Sequence, residues 1–300
     1  MALIDHQAFA SATKLRAIAP ALKDPRWFQI LALSALLALG ASMRAFAVSG
    51  ADVITIFAVA LSLQWAMSMI FAIRFDPKSA LITALSLSLL LRAEGVLPLA
   101  AAAGIAIGSK FMIRVRGKHI FNPANIGIVA VTLFSADAWT TPGQWGTAVW
   151  LAALIAGAGS FVCHRAARLD VPLIFLGAFA ALLFARAIWL GDPLTIPMLR
   201  LQNGALILFA FFMISDPKTT PDGFGLRAVF AIATAIIAYI LTYQFYLPDA
   251  IFYALAIVCT VRPLIELFDD AKPYQWGDIK VGDGSTPRAR KQKPRLTPAE

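Results

Sequence analysis

Charge is the first scarcity. Only 14% of the 300 residues are Asp, Glu, Lys or Arg and 59% are hydrophobic, whereas soluble globular chains carry about 25% charged and about 45–50% apolar residues. A water-soluble globule is thereby excluded, and a polytopic membrane protein is implied. Acid is scarcer than base, 17 residues against 26, for a net charge of +9. The bases lie in loops between apolar runs and in the C-terminal stretch, as orientation by the positive-inside rule requires. Membrane lipid is therefore the expected partner, and nucleic acid is not. Cysteine is scarce too. Cys163 and Cys259 sit inside or at the end of apolar runs, with neither the number nor the spacing for a metal cluster or zinc site, so no metal is expected. The three histidines, His6, His119 and His164, put no pair in one apolar run, which argues against a bis-histidine haem. No P-loop, dinucleotide fingerprint or supported Ser-His-Asp set occurs, so an NAD site is not expected on this chain.

What is present is a series of apolar runs. Ten helices are predicted, at 27–47, 53–73, 79–91, 95–113, 123–135, 145–163, 171–189, 203–214, 226–244 and 249–263. Residues 1–26, with Lys14, Arg16, Lys23 and Arg26, do not read as a cleavable signal, because the first long apolar run from Trp27 lacks a small-residue cleavage site. Helices three, five, eight and ten have about 12–15 residues, or about 18–22 Å, against a hydrocarbon core of about 30 Å.

The chain also repeats itself. Phe121-Asn122-Pro123-Ala124 has its counterpart in Tyr246-Leu247-Pro248-Asp249, and Ser79-Ala80-Leu81-Ile82 in Gly204-Ala205-Leu206-Ile207, each 125 positions later. A shared ungapped offset is the mark of an internal duplication. The fold class expected is thus an all-α polytopic membrane protein of about ten transmembrane helices. They form two five-helix repeats, 27–144 and 145–266, flanked by a cytoplasmic segment 1–26 and a basic, polar cytoplasmic tail 267–300. Five helices per repeat is odd, so the second repeat must be inverted, with the short helices at the repeat interface. Of the 26 Lys and Arg, only Arg44, Arg92, Arg186 and Arg200 fall on the outer side if both termini are cytoplasmic. The loop Lys110 to His119 decides this orientation, which is that of a multi-pass protein of the cell inner membrane.

Two stretches hold the candidate chemistry. Asn122 reads as the N-cap of helix five, with Pro123 as its first residue. The stretch Phe211-Phe212-Met213-Ile214-Ser215-Asp216-Pro217-Lys218-Thr219-Thr220-Pro221 ends helix eight. A helix stop explains Pro217, but explains less well a carboxylate, a lysine and three hydroxyls within six residues. Asp216, near Lys218 and Arg227, reads as a loop ion pair or as a gate at the cytoplasmic mouth. Arg44 reads as snorkelling or lining a path, and Asp249 as a cap on helix ten.

These stretches carry a resemblance. Lys118-His119-Ile120-Phe121-Asn122-Pro123-Ala124 resembles the FNPA segment of the NqrB/RnfD family, membrane subunits of sodium-pumping quinone reductase and of the Rnf electron-transport complex. Phe212-Met213-Ile214-Ser215-Asp216-Pro217-Lys218-Thr219-Thr220 is similar to that family's segment around T-D-P-V-T. Ser79-Ala80-Leu81-Ile82-Thr83-Ala84-Leu85 and Tyr246-Leu247-Pro248-Asp249-Ala250 resemble two more of its segments. The four lie in family order and span about residues 27–266. The resemblance implies a ten-helix inverted repeat and an inner-membrane electron-transfer subunit working through flavin, coupled to ion movement and associated with other subunits of a redox complex.

One departure matters. Members with covalent FMN carry an S-G-A-T-like motif in the outer loop after helix five, whereas Ser135 to Gly146 here has no Gly-Ala-Thr. Asp283-Gly284-Ser285-Thr286 is in the wrong order and in the tail. Covalent FMN is thus not expected, and the short loop resembles a divergent branch that includes the UnbU-type proteins found with enediyne biosynthesis. A non-covalent flavin, riboflavin or FMN, remains the expectation. Phe121, Asn122, Asn125 and Tyr246, with Ser215, Asp216 and Lys218, are its candidate residues. The aromatics Phe121 and Tyr246 face each other across the pseudo-axis in this reading, and Asn122 either donates to the ring or only caps its helix. The competing expectation is a channel or secondary transporter for a small solute or ion on the same repeat, without redox chemistry.

Overall fold

The computed structural model describes residues 24–42, 48–269, 271 and 274. Arg44, residues 1–23 and most of the tail from 270 onward lie outside the described residues. Within them, α1 spans Pro25–Ser42, α2 Gly50–Ile70, α3 Pro77–Leu90, α4 Val96–Met112 and α5 Pro123–Phe134. The later part holds α6 Val149–Arg165, α7 Asp170–Leu190, α8 Thr195–Leu201, α9 Gly204–Phe212, α10 Phe224–Tyr243 and α11 Ala250–Ile265. Two antiparallel scraps of sheet complete it. Strand β1 (Leu91–Ala93) pairs with β4 (Ala138–Thr140), and β2 (Arg114–Val115) with β3 (Lys118–His119). The chain is an all-α membrane protein in which these strands only tie loops together.

The short helices start where the sequence says they should. Pro77 and Pro123 occupy the first turn, where a missing N–H costs nothing. Asp76 Oδ1 accepts the Lys78 N–H at 3.2 Å, and Asn122 Oδ1 accepts the Asn125 N–H at 3.1 Å. By length and composition three helices, α2, α7 and α10, can each cross a membrane. A fourth crossing is available if α8 and α9, bent by 49° at Gln202–Asn203, act as one. Helix α8 was not expected. Pro193, Pro197 and Arg200 read as loop, yet Pro197 lies in the first turn of α8, and Asn203 then breaks the helix and caps α9 through the N–H groups of Ala205 and Leu206.

In the first half α1 packs on α3, α2 on α3 and α4, and α4 on α5. In the second, α6 packs on α9, α7 on α9 and α10, and α10 on α11. The halves meet where α1 touches α6 and α5 touches α11. The tightest approaches are made by glycine. A Cβ on Gly127 would stand 2.6 Å from the Ala102 carbonyl oxygen, and one on Gly159 would stand 2.4 Å from the Phe211 Cβ, so α5 lies on α4, and α6 on α9, almost backbone to side chain. Phe175, Phe209 and Phe252 join α7, α9 and α11 in a chain of ring contacts at 5.3 and 5.7 Å.

Helix ends gather at two opposite ends of the bundle. At the basic end Lys118 meets Glu266, Lys110 meets Ser79, and Asn122 meets Met213. At the far end Arg92 meets Gln144, and Thr140 meets Asp249.

Candidate functional site

At the basic end the two motif stretches converge. The start of α5 faces the turn that ends α9: Asn122 Nδ2 donates to the Met213 carbonyl at 3.3 Å and to Asp216 Oδ2 at 3.4 Å. Asn122 therefore caps its helix with its oxygen and ties the two halves with its nitrogen. Asn125, 1% exposed, donates to the Phe252 carbonyl at 3.0 Å, which bonds α5 to α11. Its Oδ1 has no partner among the described residues.

The turn after α9 is built by its own polar groups. Ser215 Oγ donates back to the Phe211 carbonyl at 2.5 Å. Asp216 Oδ1 accepts the Lys218 N–H at 3.0 Å, and its carbonyl accepts the N–H groups of Thr219 and Thr220. The cluster of hydroxyls and charge is thus mainly a self-capped turn, which the sequence left open. His119 Nε2 stands 3.6 Å from Asp216 Oδ2, an ion pair when the imidazole is protonated. Burial works to raise the Asp216 carboxyl, but His119, the Lys218 N–H and Arg262 outweigh it and hold the pKa below the ordinary value. Arg227 is not part of this group. It pairs with Asp170 at 2.6 Å, because both stand at the starts of neighbouring helices, α10 and α7. This corrects the expected grouping of Asp216 with Arg227.

Around this turn lies a charge cluster that pattern reading missed. Lys118, 6% exposed, donates to Asp222 Oδ2 at 2.8 Å, to Glu266 Oε1 at 2.9 Å and to the Thr220 carbonyl at 3.0 Å. Arg262, fully buried, donates to the His119 carbonyl at 2.9 Å, to the Lys218 carbonyl at 3.2 Å and to Glu266 at 3.3 Å. Arg168 reaches Asp222 at 3.3 Å. These partners are 44 to 148 positions apart in the chain, apart from the Arg262–Glu266 pair. Only that i, i+4 pair was a legible signal.

Beneath the cluster is a cavity of about 70 Å³. Its walls are polar: the hydroxyl residues Ser79, Thr83 and Ser86 at one-turn and two-turn spacing on α3, then His119, Asn122 and Asp216, with Arg26 and Lys218 at its edge. Three of the four resemblance segments therefore meet in one space. The fourth does not. Tyr246, 83% exposed with φ 55°, lines a separate cavity of about 390 Å³ at the far end, beside Asn203 and Pro248. The expected pairing of Phe121 with Tyr246 is corrected: the 12-residue α5, about 18 Å long, runs from one level to the other. Phe121 is half-buried at the basic end.

The donor set suits a flavin, but the space does not. Sites for small molecules have volumes of roughly 300–1,000 Å³, so the basic-end cavity admits a few waters and not an isoalloxazine ring. Both hydrogens of the Asn122 amide also face protein oxygens. In the outer loop, Thr140 donates its hydroxyl to Asp249, and Thr141 has a buried Oγ1 without a partner among the described residues.

Residues 134–275 match the model of the NQR2, RnfD, RnfE family. The chain is also 29% identical over 133 residues to a membrane component of the ion-translocating oxidoreductase complex of Escherichia coli, in strains K12 and O157:H7 alike. That alignment covers 44% of this chain and 36% of the relative, so the chain spans about a third of the length of the relatives it matches. The matched region contains the Ser215–Thr220 turn and Tyr246, while Phe121 to Asn125 lies ahead of it.

Proposed function

Taking as premise that the chain belongs, through residues 134–275, to the NQR2, RnfD, RnfE family, we propose that it is an inner-membrane subunit of an ion-translocating oxidoreductase complex. Other subunits of that complex are its partners. In this reading two inverted five-helix repeats cross the bilayer ten times, counting α8 with α9, and both termini and the Lys110–His119 loop are cytoplasmic. Its support is the recurrence of packing pairs, α1 with α3 and α2 with α4 in one half, α6 with α9 and α7 with α10 in the other. The absent Gly-Ala-Thr argues for the branch that holds any flavin without a covalent bond.

The observation that carries the proposal is the bond from Asn122 to Met213 and Asp216. It joins the two motif segments, one from each half, in a single buried polar site. A flavin, riboflavin or FMN, enters that site only in a form whose Ser215–Thr220 turn has moved away, since the cavity here is too small. No electron-transfer step is assigned to these residues on that basis. When bound, such a group supplies one- or two-electron transfer, and the chain's part is to exclude water and supply donors from Asn122 and Lys218.

The test is flavin content. Protein purified with riboflavin or FMN present should carry flavin that acid releases, and no fluorescent band should survive a denaturing gel. Substitution Asn122→Leu should lower occupancy roughly 5- to 150-fold, as loss of a buried donor worth about 1–3 kcal/mol implies. Wild-type protein that never retains flavin sinks the cofactor proposal. Topology is tested separately, by single cysteines at the exposed Arg114 and Gly143, which should label from opposite sides. A second reading, a channel or secondary transporter, draws on the closed basic-end cavity lying opposite a wider far-end one.

A further inference from the structure

We propose that the far-end cavity binds the headgroup of an anionic phospholipid, with Arg200 as the partner of its phosphate. The inference is independent of the redox reading. The cavity has about 390 Å³, room for a headgroup and the first methylenes but not for whole acyl chains. Its walls include Phe179 and Leu183 of α7 and Thr242 and Tyr243 of α10, two of the helices long enough to cross a membrane. It therefore opens at the ends of spanning helices, where headgroups are.

Helix α8 places the cation there. Ile196, Met198 and Leu199 of this short helix are 45, 50 and 49% exposed, while Pro197 is buried. Such an element lies along the bilayer interface rather than across it, and its last turn presents Arg200 to the cavity. Arg200 is exposed and has no hydrogen-bond or ion-pair partner among the described residues. Other charges at this end are engaged. Arg186 holds Asp192 at 3.2 Å and lies over the Tyr243 ring, Arg92 is buried on Gln144 and two carbonyls, and Asp249 takes the Thr140 hydroxyl. One unpaired guanidinium above an apolar floor fits a phosphate diester carrying hydrocarbon. Phosphatidylcholine has the same phosphate, but its choline cation next to Arg200 opposes binding, so an anionic headgroup is preferred.

The test is native mass spectrometry of the detergent-purified full chain titrated with phosphatidylglycerol or phosphatidylcholine. Phosphatidylglycerol should bind about tenfold more tightly, the effect of one charge-assisted bond. Arg200→Gln should abolish that preference while leaving thermal stability unchanged. Ile251→Trp, which fills the cavity, should weaken both lipids, and free glycerol phosphate should not compete. Equal binding of the two lipids by wild type overturns the proposal, as does a preference that survives in Arg200→Gln. Competition by glycerol phosphate at the lipid's own concentration would make this an anion site without lipid contacts, which also overturns it.

Discussion

At the basic end, the cavity between the starts of α3 and α5 has about 70 Å³ and is walled by hydroxyls, an amide, an imidazole and a carboxylate. At the far end, the cavity between the starts of α9 and α11 has about 390 Å³ and is walled mostly by Phe, Leu, Ile and Ala, with two tyrosines. The frames correspond at an offset of 125 positions, yet Ser79 has become Gly204, Asn122 Leu247 and Ala124 Asp249. A Cβ at Gly204 would lie 2.7 Å from the Trp145 Cβ, so the loop between the halves has taken the place of a side chain. Duplicated helix starts keep their caps because backbone N–H groups need partners wherever a helix begins. The side chains lining the space are under no such constraint, and there the two ends have diverged.

The largest expected effect is at the charge cluster that closes the basic-end cavity. Replacing Lys118 with Met leaves Asp222 and Glu266 with less compensation in a buried setting, a loss of about 3–5 kcal/mol. Unfolding in mixed micelles reads it, and an unchanged midpoint would show that the two halves are held by apolar packing alone. Asn122 comes next. Asn122→Leu removes a cap and the bond to Met213 together, about 1–3 kcal/mol of stability. Asn122→Ser should recover part of that, since serine caps but reaches less far. Equal losses in both variants would mean that the link between the halves, and not the cap, carries the effect. At the far end, Gly204→Ala should cost about 1–3 kcal/mol by overpacking against Trp145, whereas Gly143→Ala in the open loop nearby should cost little. A small loss at Gly204 would show that this end yields where the basic end does not.

The smallest effect is a pH dependence at the rim of the basic-end cavity. Asp24 bonds Arg26 and Lys78, and Arg26 lines the cavity. Burial works to raise the Asp24 carboxyl, but the hydrogen bonds from Arg26 and Lys78 bring it down to about 2 from 3.8. A depressed pKa adds stability that is fully present above about pH 4 and is lost as pH falls toward 2. Asp24→Asn should flatten the unfolding midpoint across that window. A profile unchanged by the substitution would remove Asp24 from the rim's electrostatics.

Much of the frame was legible in the sequence. Ten apolar runs, the Pro-bounded short helices and the caps Asn122 and Asp76 follow from hydropathy and from local chemistry within a few residues. Helix α8 was not legible, because seven residues with a proline and an arginine carry no periodic signal. Of the site, the meeting of Asn122 with Asp216 followed from reading both as motifs of one family. The place of Tyr246 did not, since its resemblance to Phe121 is one of repeat position and says nothing of which end of the bundle it occupies.

Composition and local pattern by themselves determined that this is a membrane protein, where its helices begin, and where its bases lie. They suffice because burial in lipid and helix capping depend on residues adjacent in the chain. Only the tertiary structure decided that Lys118 is shared by Asp222 and Glu266, that Arg227 serves Asp170, and that one cavity is shut while its counterpart is open. Those outcomes depend on charges and side-chain volumes brought together from up to 148 positions away, a distance over which no local pattern in the chain carries information.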